Sequence, residues 1–309
     1  MEAQLIAMPV VSILLLFFLP LPVLNQFLDG ECGVQSNGQT VKRSSSPWIA
    51  FLHTTDLIFV CTGTLISRNL ILTAAHCITS NTQLVARLGE FMGTLEENPL
   101  PVLHDVRECS KHPYFDMTTH ANDIAVLELA TKVVYTDNIR PICIVWDRSW
   151  KRHMDSIQIL SGPVRGKPEN DNDGGSRIVD IRRQPPEMCH NYMGTFRENI
   201  SSSVICAGDS NSNLCNADFS SPLGALVLHR KLQRFVQIGI ATSNQRCNMP
   251  SIYTNVLSHI EFILRAWRHY SKGNSSSGAS SPTKSPTKSP TKSPTKSPTK
   301  PPTKSPTKS

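Results

Sequence analysis

Two side chains that could move or orient a proton sit in short apolar strings: His76 in LTAAHC (72–77) and Asp123 in NDIAVLEL (122–129). A third stretch, CNADFSSPLG (215–224), reads as a catalytic loop, yet the aromatic Phe219 stands where a nucleophile is expected. The chemistry this set points to is acyl transfer. A serine oxygen attacks a carbonyl, a histidine takes its proton, a buried aspartate orients that histidine, and two backbone N–H groups hold the developing oxyanion. His76 and Asp123 suit two of these roles. A phenyl ring can neither attack a carbonyl nor give up a proton, so at Phe219 the covalent step has no agent. No CxxC or HExxH spacing occurs, and we expect neither a metal nor a cofactor.

The elements that would have to position these groups are mostly strands. Apolar runs at 57–67 (LIFVCTGTLIS), 70–73 (LILT), 83–89 (QLVARLG) and 124–129 (IAVLEL) alternate with turn-rich stretches, which is an all-β pattern. One segment is expected to be helical, Ser258 to Trp267, with Ile260, Ile263, Leu264 and Trp267 on one face. Ser258 and Glu261 have the spacing of a capping box, and Leu257 with Phe262 that of a hydrophobic staple.

The chain has 309 residues, long enough for one large or two ordinary domains, and is 39% apolar. Seven of its 31 basic side chains are lysines in residues 281–309, which contain no acid, so the remainder balances at 24 basic against 24 acidic. The basic pI is thus a property of the tail, and no nucleic-acid groove is inferred on the folded part. Residues 5–24 are almost wholly apolar, with their densest run at 10–19, and are interrupted by Pro9, Pro20 and Pro22. A signal peptide fits better than a membrane anchor, with cleavage between 22 and 30, and no membrane association is expected after cleavage. Nine cysteines agree with an oxidising destination, and their odd number leaves at least one thiol without an internal partner.

In order and spacing, the strings around His76, Asp123 and Phe219 resemble the trypsin and chymotrypsin family of serine endopeptidases. PWIAFL (47–52), RPICI (140–144), VICAG (204–208) and SIYTNV (251–256) extend the match from about Cys32 to Tyr270. The resemblance implies two packed six-stranded antiparallel β-barrels with the cleft between them, closed by a C-terminal helix. It further implies the pairs Cys61–Cys77, Cys189–Cys206, Cys215–Cys247 and Cys32–Cys143. Cys109 is left over, read as a buried small hydrophobe or as an intermolecular crosslink.

Within that resemblance the departures carry the functional reading. The family string GDSGGP has become Ala217, Asp218, Phe219, Ser220, Ser221, Pro222, and the distance from Cys215 to Pro222 equals the family's spacing. Phe219 therefore holds the nucleophile's position, and a one-residue slip to Ser220 finds no insertion to support it. Three glycines of the loop are replaced, which puts the oxyanion hole in doubt. Residues 34–46 encode no apolar start to pair with Asp218 after zymogen cleavage. In the pocket, Asn213 stands at the position that selects Lys or Arg, the edge strand reads Thr242, Ser243, Asn244, and Ser251 replaces a wall glycine. His76 and Asp123 are then a vestigial, satisfied polar pair.

The expectation is a secreted, non-catalytic serine protease homologue, a binding or regulatory module in an extracellular protease cascade, possibly immune. Its organisation would be a signal peptide at 1–26, a protease-homology domain at 27–270, and a disordered linker and SPTK-repeat tail at 271–309. Extracellular proteases or their substrates are the expected partners. The alternatives are a divergent active endopeptidase and a protein that binds an acidic glycan or cell-surface polyanion through the seven tail lysines. Asn199 and Asn274 head N-glycosylation sequons.

Overall fold

The computed structural model describes residues 26–34, 46–79, 82–90, 100–165, 176–190, 202–208, 215–216, 220–242 and 250–273. Residues 1–25 of the expected signal peptide, the SPTK tail and both sequons lie outside these residues.

Six strands close the first barrel in the order β1 (Ile49–Thr54), β2 (Phe59–Ser67), β3 (Leu70–Thr73), β6 (Ala125–Leu129), β5 (Val102–Lys111), β4 (Leu84–Leu88). Every pairing is antiparallel, with Thr64 opposite Leu72 and Leu72 opposite Val126. The branched and aliphatic residues that mark these runs fill the interior: Leu52, Leu65, Ile71, Leu88 and Leu127 are each fully buried. The second sheet holds β7 (Ile159–Arg165), β8 (Ser176–Arg182), β9 (Val204–Ala207), β11 (Pro222–His229), β12 (Leu232–Ala241) and β13 (Ser251–Asn255), with the two-residue β10 (Cys215–Asn216) on the far end of β7. An isolated bridge from Arg183 to Ala207 carries the β8 side round to β9. Leu160, Leu223, Val227 and Ile238 make this core.

Each end of the described chain straps the barrel it does not belong to in sequence. Near the N-terminus, Phe27 bridges Val145 and Cys32 is disulfide-bonded to Cys143, which lies alongside Val236 of the second sheet. After the second sheet the chain forms a 3-10 turn (Leu257–His259) and a helix that packs Ile260, Ile263, Ala266 and Tyr270 into the core of the first barrel. The Tyr270 hydroxyl hydrogen-bonds Ser110 of β5.

Among the described residues this is the third of three α-helices: α1 is Lys151–Ser156, α2 is Pro186–His190 and α3 is Ile260–Gly273. The sequence pattern singled out only α3, because α1 and α2 are too short to show a period. Its expected start needs correction. The Ser258–Glu261 capping box does not form: Asn255 Oδ1 accepts from the N–H groups of Leu257 and Ser258, the Ser258 hydroxyl donates to the Ser202 carbonyl, and Glu261 pairs with Arg148. A cap supplied by Asn255 shifts the α-helix two residues onward and leaves the first turn as 3-10. Cys109 also differs from its reading as a buried residue. On β5 the inward positions are His104 and Val106, and beyond a register irregularity at Val106–Glu108 the strand leaves Cys109 exposed.

Candidate active-site cleft

His76 is held by short-range necessity. The fully buried strand β3 runs into Ala74 and then a three-residue 3-10 turn, Ala75–Cys77, and Cys77 is tied back to Cys61 of β2. Asp123 enters from the other side, on the loop between β5 and β6. That loop turns through left-handed backbones at His120 (φ +53°) and Asn122 (φ +55°) before it becomes β6. The Asp123 side chain is 0% exposed and fully engaged. Its Oδ1 accepts from the His76 backbone N–H at 2.9 Å, and its Oδ2 lies 2.6 Å from His76 Nδ1. The carboxylate requires a proton on Nδ1, so a neutral His76 keeps its lone pair on Nε2, the tautomer a general base needs. From the second barrel, Thr254 Oγ1 donates to the Asp123 carbonyl at 3.0 Å.

His120 also faces this carboxylate, with Nδ1 3.4 Å from Oδ2, and its ring meets that of His76 edge-on at 5.7 Å. Sequence reasoning missed it, since only the left-handed turn brings it round. Donor atoms of His76, His120 and Asp123 fall within 4.8 Å of one another. The 2.6 Å His76–Asp123 contact is a hydrogen bond, whereas ligand atoms about 2.1 Å from a tetrahedral metal stand roughly 3.4 Å apart. Taken through Nδ1, a metal would have to break that bond. The second group of possible ligands, Cys61, His76 and Cys77, has both thiols in a disulfide.

Ala217, Asp218 and Phe219 lie outside the described residues, but Ser220 is 1% exposed, with a left-handed backbone at φ +69°. Its Oγ accepts from the Ala74 N–H at 2.6 Å and sits 2.8 Å from Thr73 Oγ1. Thr73 spends its own proton on the Thr62 carbonyl at 2.9 Å. The hydrogen between the two hydroxyls therefore comes from Ser220, which has none left for an imidazole. The turn is fastened by Ser220 N–H to the Ala241 carbonyl and Ala241 N–H to the Ser221 carbonyl. The clamp on Ser220 joins the barrels, because Thr73 and Ala74 belong to the first and Ser220 enters the second.

Of the residues expected to line the pocket, Asn213 and Asn244 lie outside the described part, as does Cys247, the expected partner of Cys215. Ser251 is buried at the start of β13, opposite Ala207. Burial pushes the nearby Tyr253 hydroxyl up to about 12, against the opposing effect of its hydrogen bond with Ser251. Thr242 turns inward and donates its hydroxyl to the Ile252 carbonyl at 3.0 Å. The structure contains the disulfides Cys32–Cys143, Cys61–Cys77 and Cys189–Cys206.

Comparison with known proteins agrees with this geometry. The family model described as Trypsin matches residues 35–263. The chain is similar to serine protease grass of Drosophila melanogaster (29% identical, covering 74% of this chain and 66% of that protein) and to inactive CLIP domain-containing serine protease A28 of Anopheles gambiae (28%; 74% and 63%). Duodenase-1 of Bos taurus is 28% identical over 80% of this chain and 94% of its own. The match covers 66%, 50% and 64% of the first three curated relatives, so those proteins extend well beyond it. Among solved structures, the Drosophila Grass clip serine protease of the Toll pathway superposes with a TM-score of 0.64 at 27% identity, over 77% of this chain and 74% of that one. With two antiparallel barrels, a His–Asp pair at their junction and a family model spanning most of its length, the chain belongs to the trypsin family of serine proteases.

Proposed function

We propose that this protein is a secreted, catalytically inactive member of the family that acts as a binding or regulatory module in an extracellular protease cascade. The observation that carries this reading is the fate of the only hydroxyl next to the nucleophile's position. Ser220 Oγ is buried, accepts from Ala74 N–H and donates to Thr73, while the residue before it is Phe219. His76 and Asp123 remain poised, but a base without a nucleophile performs no acyl transfer. Residual catalysis by the remaining groups would depend on an oxyanion hole, and the replacements at Ala217, Ser220 and Ser221 remove the glycines that serve it. Similarity to an inactive CLIP-domain relative and to a clip protease of the Toll pathway supports a role in recognition. The disulfides support an oxidising, extracellular destination. No helix among the described residues is long and apolar enough to cross a membrane.

The test is an active-site fluorophosphonate probe on the full chain, with Ser220→Ala as control. We expect no labelling of either, and no peptidase turnover from Phe219→Ser alone, because pocket and activation start stay altered. Labelling that Ser220→Ala abolishes would overturn the reading.

A further inference from the structure

Formal charge balances over the chain outside the lysine tail, but its distribution is uneven. The turn joining β11 to β12 consists of Arg230 and Lys231, both left-handed, at φ +49° and +67°, with His229 and Leu232 paired at its base. That is the geometry of a type I′ hairpin turn, which Asn-Gly adopts with least strain and two long cationic residues do not. Strain that persists at an exposed tip directs attention to the side chains it displays.

Beside this tip lie the 3-10 turn Arg148–Trp150 and α1. Arg148, Lys151 and Arg152, with Ser149 and Asp155, rim an open hollow of about 670 Å³. The two sets of cations share an aromatic floor. Trp150 and His229 lie 5.8 Å apart between ring centroids, and Phe27 packs against them at 6.1 and 5.1 Å. Burial, with the nearby Arg230 and Arg234, holds the His229 imidazole below the usual histidine range. Two carboxylates answer this charge: Asp155 pairs with Lys151 and Glu261 with Arg148. Among the described residues, Arg152, Arg230 and Lys231 have no carboxylate partner.

We propose that this face, the Arg230–Lys231 tip together with Arg148, Lys151 and Arg152 across Trp150 and His229, binds a sulfated polysaccharide. Cations displayed from two separate elements suit an extended polyanion better than a single phosphate group. Between them the half-buried Trp150 and His229 rings, backed by the buried Phe27, offer an apolar surface to sugar rings, and the hollow is open rather than enclosed. The disulfides favour an extracellular setting, where sulfated polysaccharides and not nucleic acids are the common linear polyanions. The face uses neither His76 nor Asp123, so the inference goes beyond the proposed function and stands or falls separately from it.

The experiment uses the full chain throughout, so that the tail lysines contribute equally to every measurement. Binding of a short heparin oligosaccharide is compared for the wild type, for Arg230→Asn with Lys231→Gly, for that pair with Arg152→Ala, and for a charge-matched control, Lys111→Ala with Lys132→Ala and Arg182→Ala. Removing three phosphate-like contacts should weaken binding by about tenfold or more and flatten its salt dependence. The Asn-Gly pair should at the same time raise the melting temperature, because it relieves the turn, so weaker binding cannot be blamed on misfolding. Equal loss in the charge-matched control, or no loss in the patch variants, overturns the proposal. So does equal affinity for single-stranded DNA or polyglutamate of matched charge, which would show undirected attraction.

Discussion

At the scale of the residue, Ser220 places a structural hydroxyl at the junction of the two barrels. Its hydroxyl satisfies a buried backbone N–H on Ala74 and donates to Thr73, while its backbone occupies a conformation that glycine adopts more readily. These effects oppose one another, and their sizes can be read from two variants. Ser220→Ala leaves the Ala74 N–H without an acceptor and keeps a Cβ at φ +69°, so it should destabilise by about 1–3 kcal/mol. Ser220→Gly loses the same bond but relieves the backbone, so it should be the milder change by roughly 1 kcal/mol. Urea denaturation of the two variants checks the order, and a more stable alanine variant would contradict the bonding described. The His–Asp pair was legible in the sequence because LTAAHC and NDIAVLEL are local strings. The role of Ser220 was not, because its partners lie 146 and 147 residues away and only the docking of the barrels brings them together. His120 escaped notice for a related reason: a turn in φ places it against Asp123, and no apolar period records such a turn.

At the scale of the element, the straps decide stability. Cys32–Cys143 closes a separation of 111 residues and fastens the N-terminal segment to the second barrel, whereas Cys61–Cys77 closes only 16. Chain entropy then assigns about 5 kcal/mol to the first and about 3 to the second. Equilibrium denaturation of Cys32→Ala/Cys143→Ala and Cys61→Ala/Cys77→Ala without reductant should show the larger loss for the longer loop; the reverse order would mean that native contacts around His76 outweigh it. A second test lies in β11, where a Cβ on Gly224 would fall 2.4 Å from the Val236 carbonyl oxygen and 2.5 Å from Phe235 Cε1. Gly224→Ala must push apart the β11–β12 pair beside its register shift, at a cost of about 1–3 kcal/mol in a melting or urea experiment. The strands were readable because four apolar runs coincide with β2, β3, β4 and β6 to within about two residues. The helix start was misplaced because Asn255, outside the searched motif, took the capping role, and the Arg230–Lys231 turn breaks the composition rule by which turns are recognised.

At the scale of the whole molecule, the cleft is also the joint between the barrels. Thr64 donates to Gln237 across it at 2.7 Å, Thr254 donates to the Asp123 carbonyl, and Ser220 is clamped by Thr73 and Ala74. Buried polar groups cost stability when one partner is lost, so the bonds across the junction and the His76–Asp123 pair beside it each have a structural role. The same joint contains histidines whose pKa burial lowers. The His259 pKa is lowered by desolvation, its Nδ1 lies 2.8 Å from the Asn255 carbonyl, and its Nε2 lies 3.2 Å from Asn122 Oδ1, next to Asp123 in the chain. His112, lowered by desolvation and by His259, packs its ring against that of His259 at 5.4 Å. His104 in the first barrel is lowered by burial as well. Each folded pKa lies below the unfolded value of about 6.5, so just under that pH the unfolded chain binds protons that the fold refuses. Stability should be constant above pH 7 and fall as the pH drops through 6.5 towards the folded values. Melting temperatures between pH 7.5 and 5.5 should decline, and His259→Gln should flatten the decline while leaving the plateau near neutrality in place. A melting temperature that stays level or rises on acidification would mean that these rings are charged in the fold, and that the joint is held by imidazolium rather than by neutral histidine.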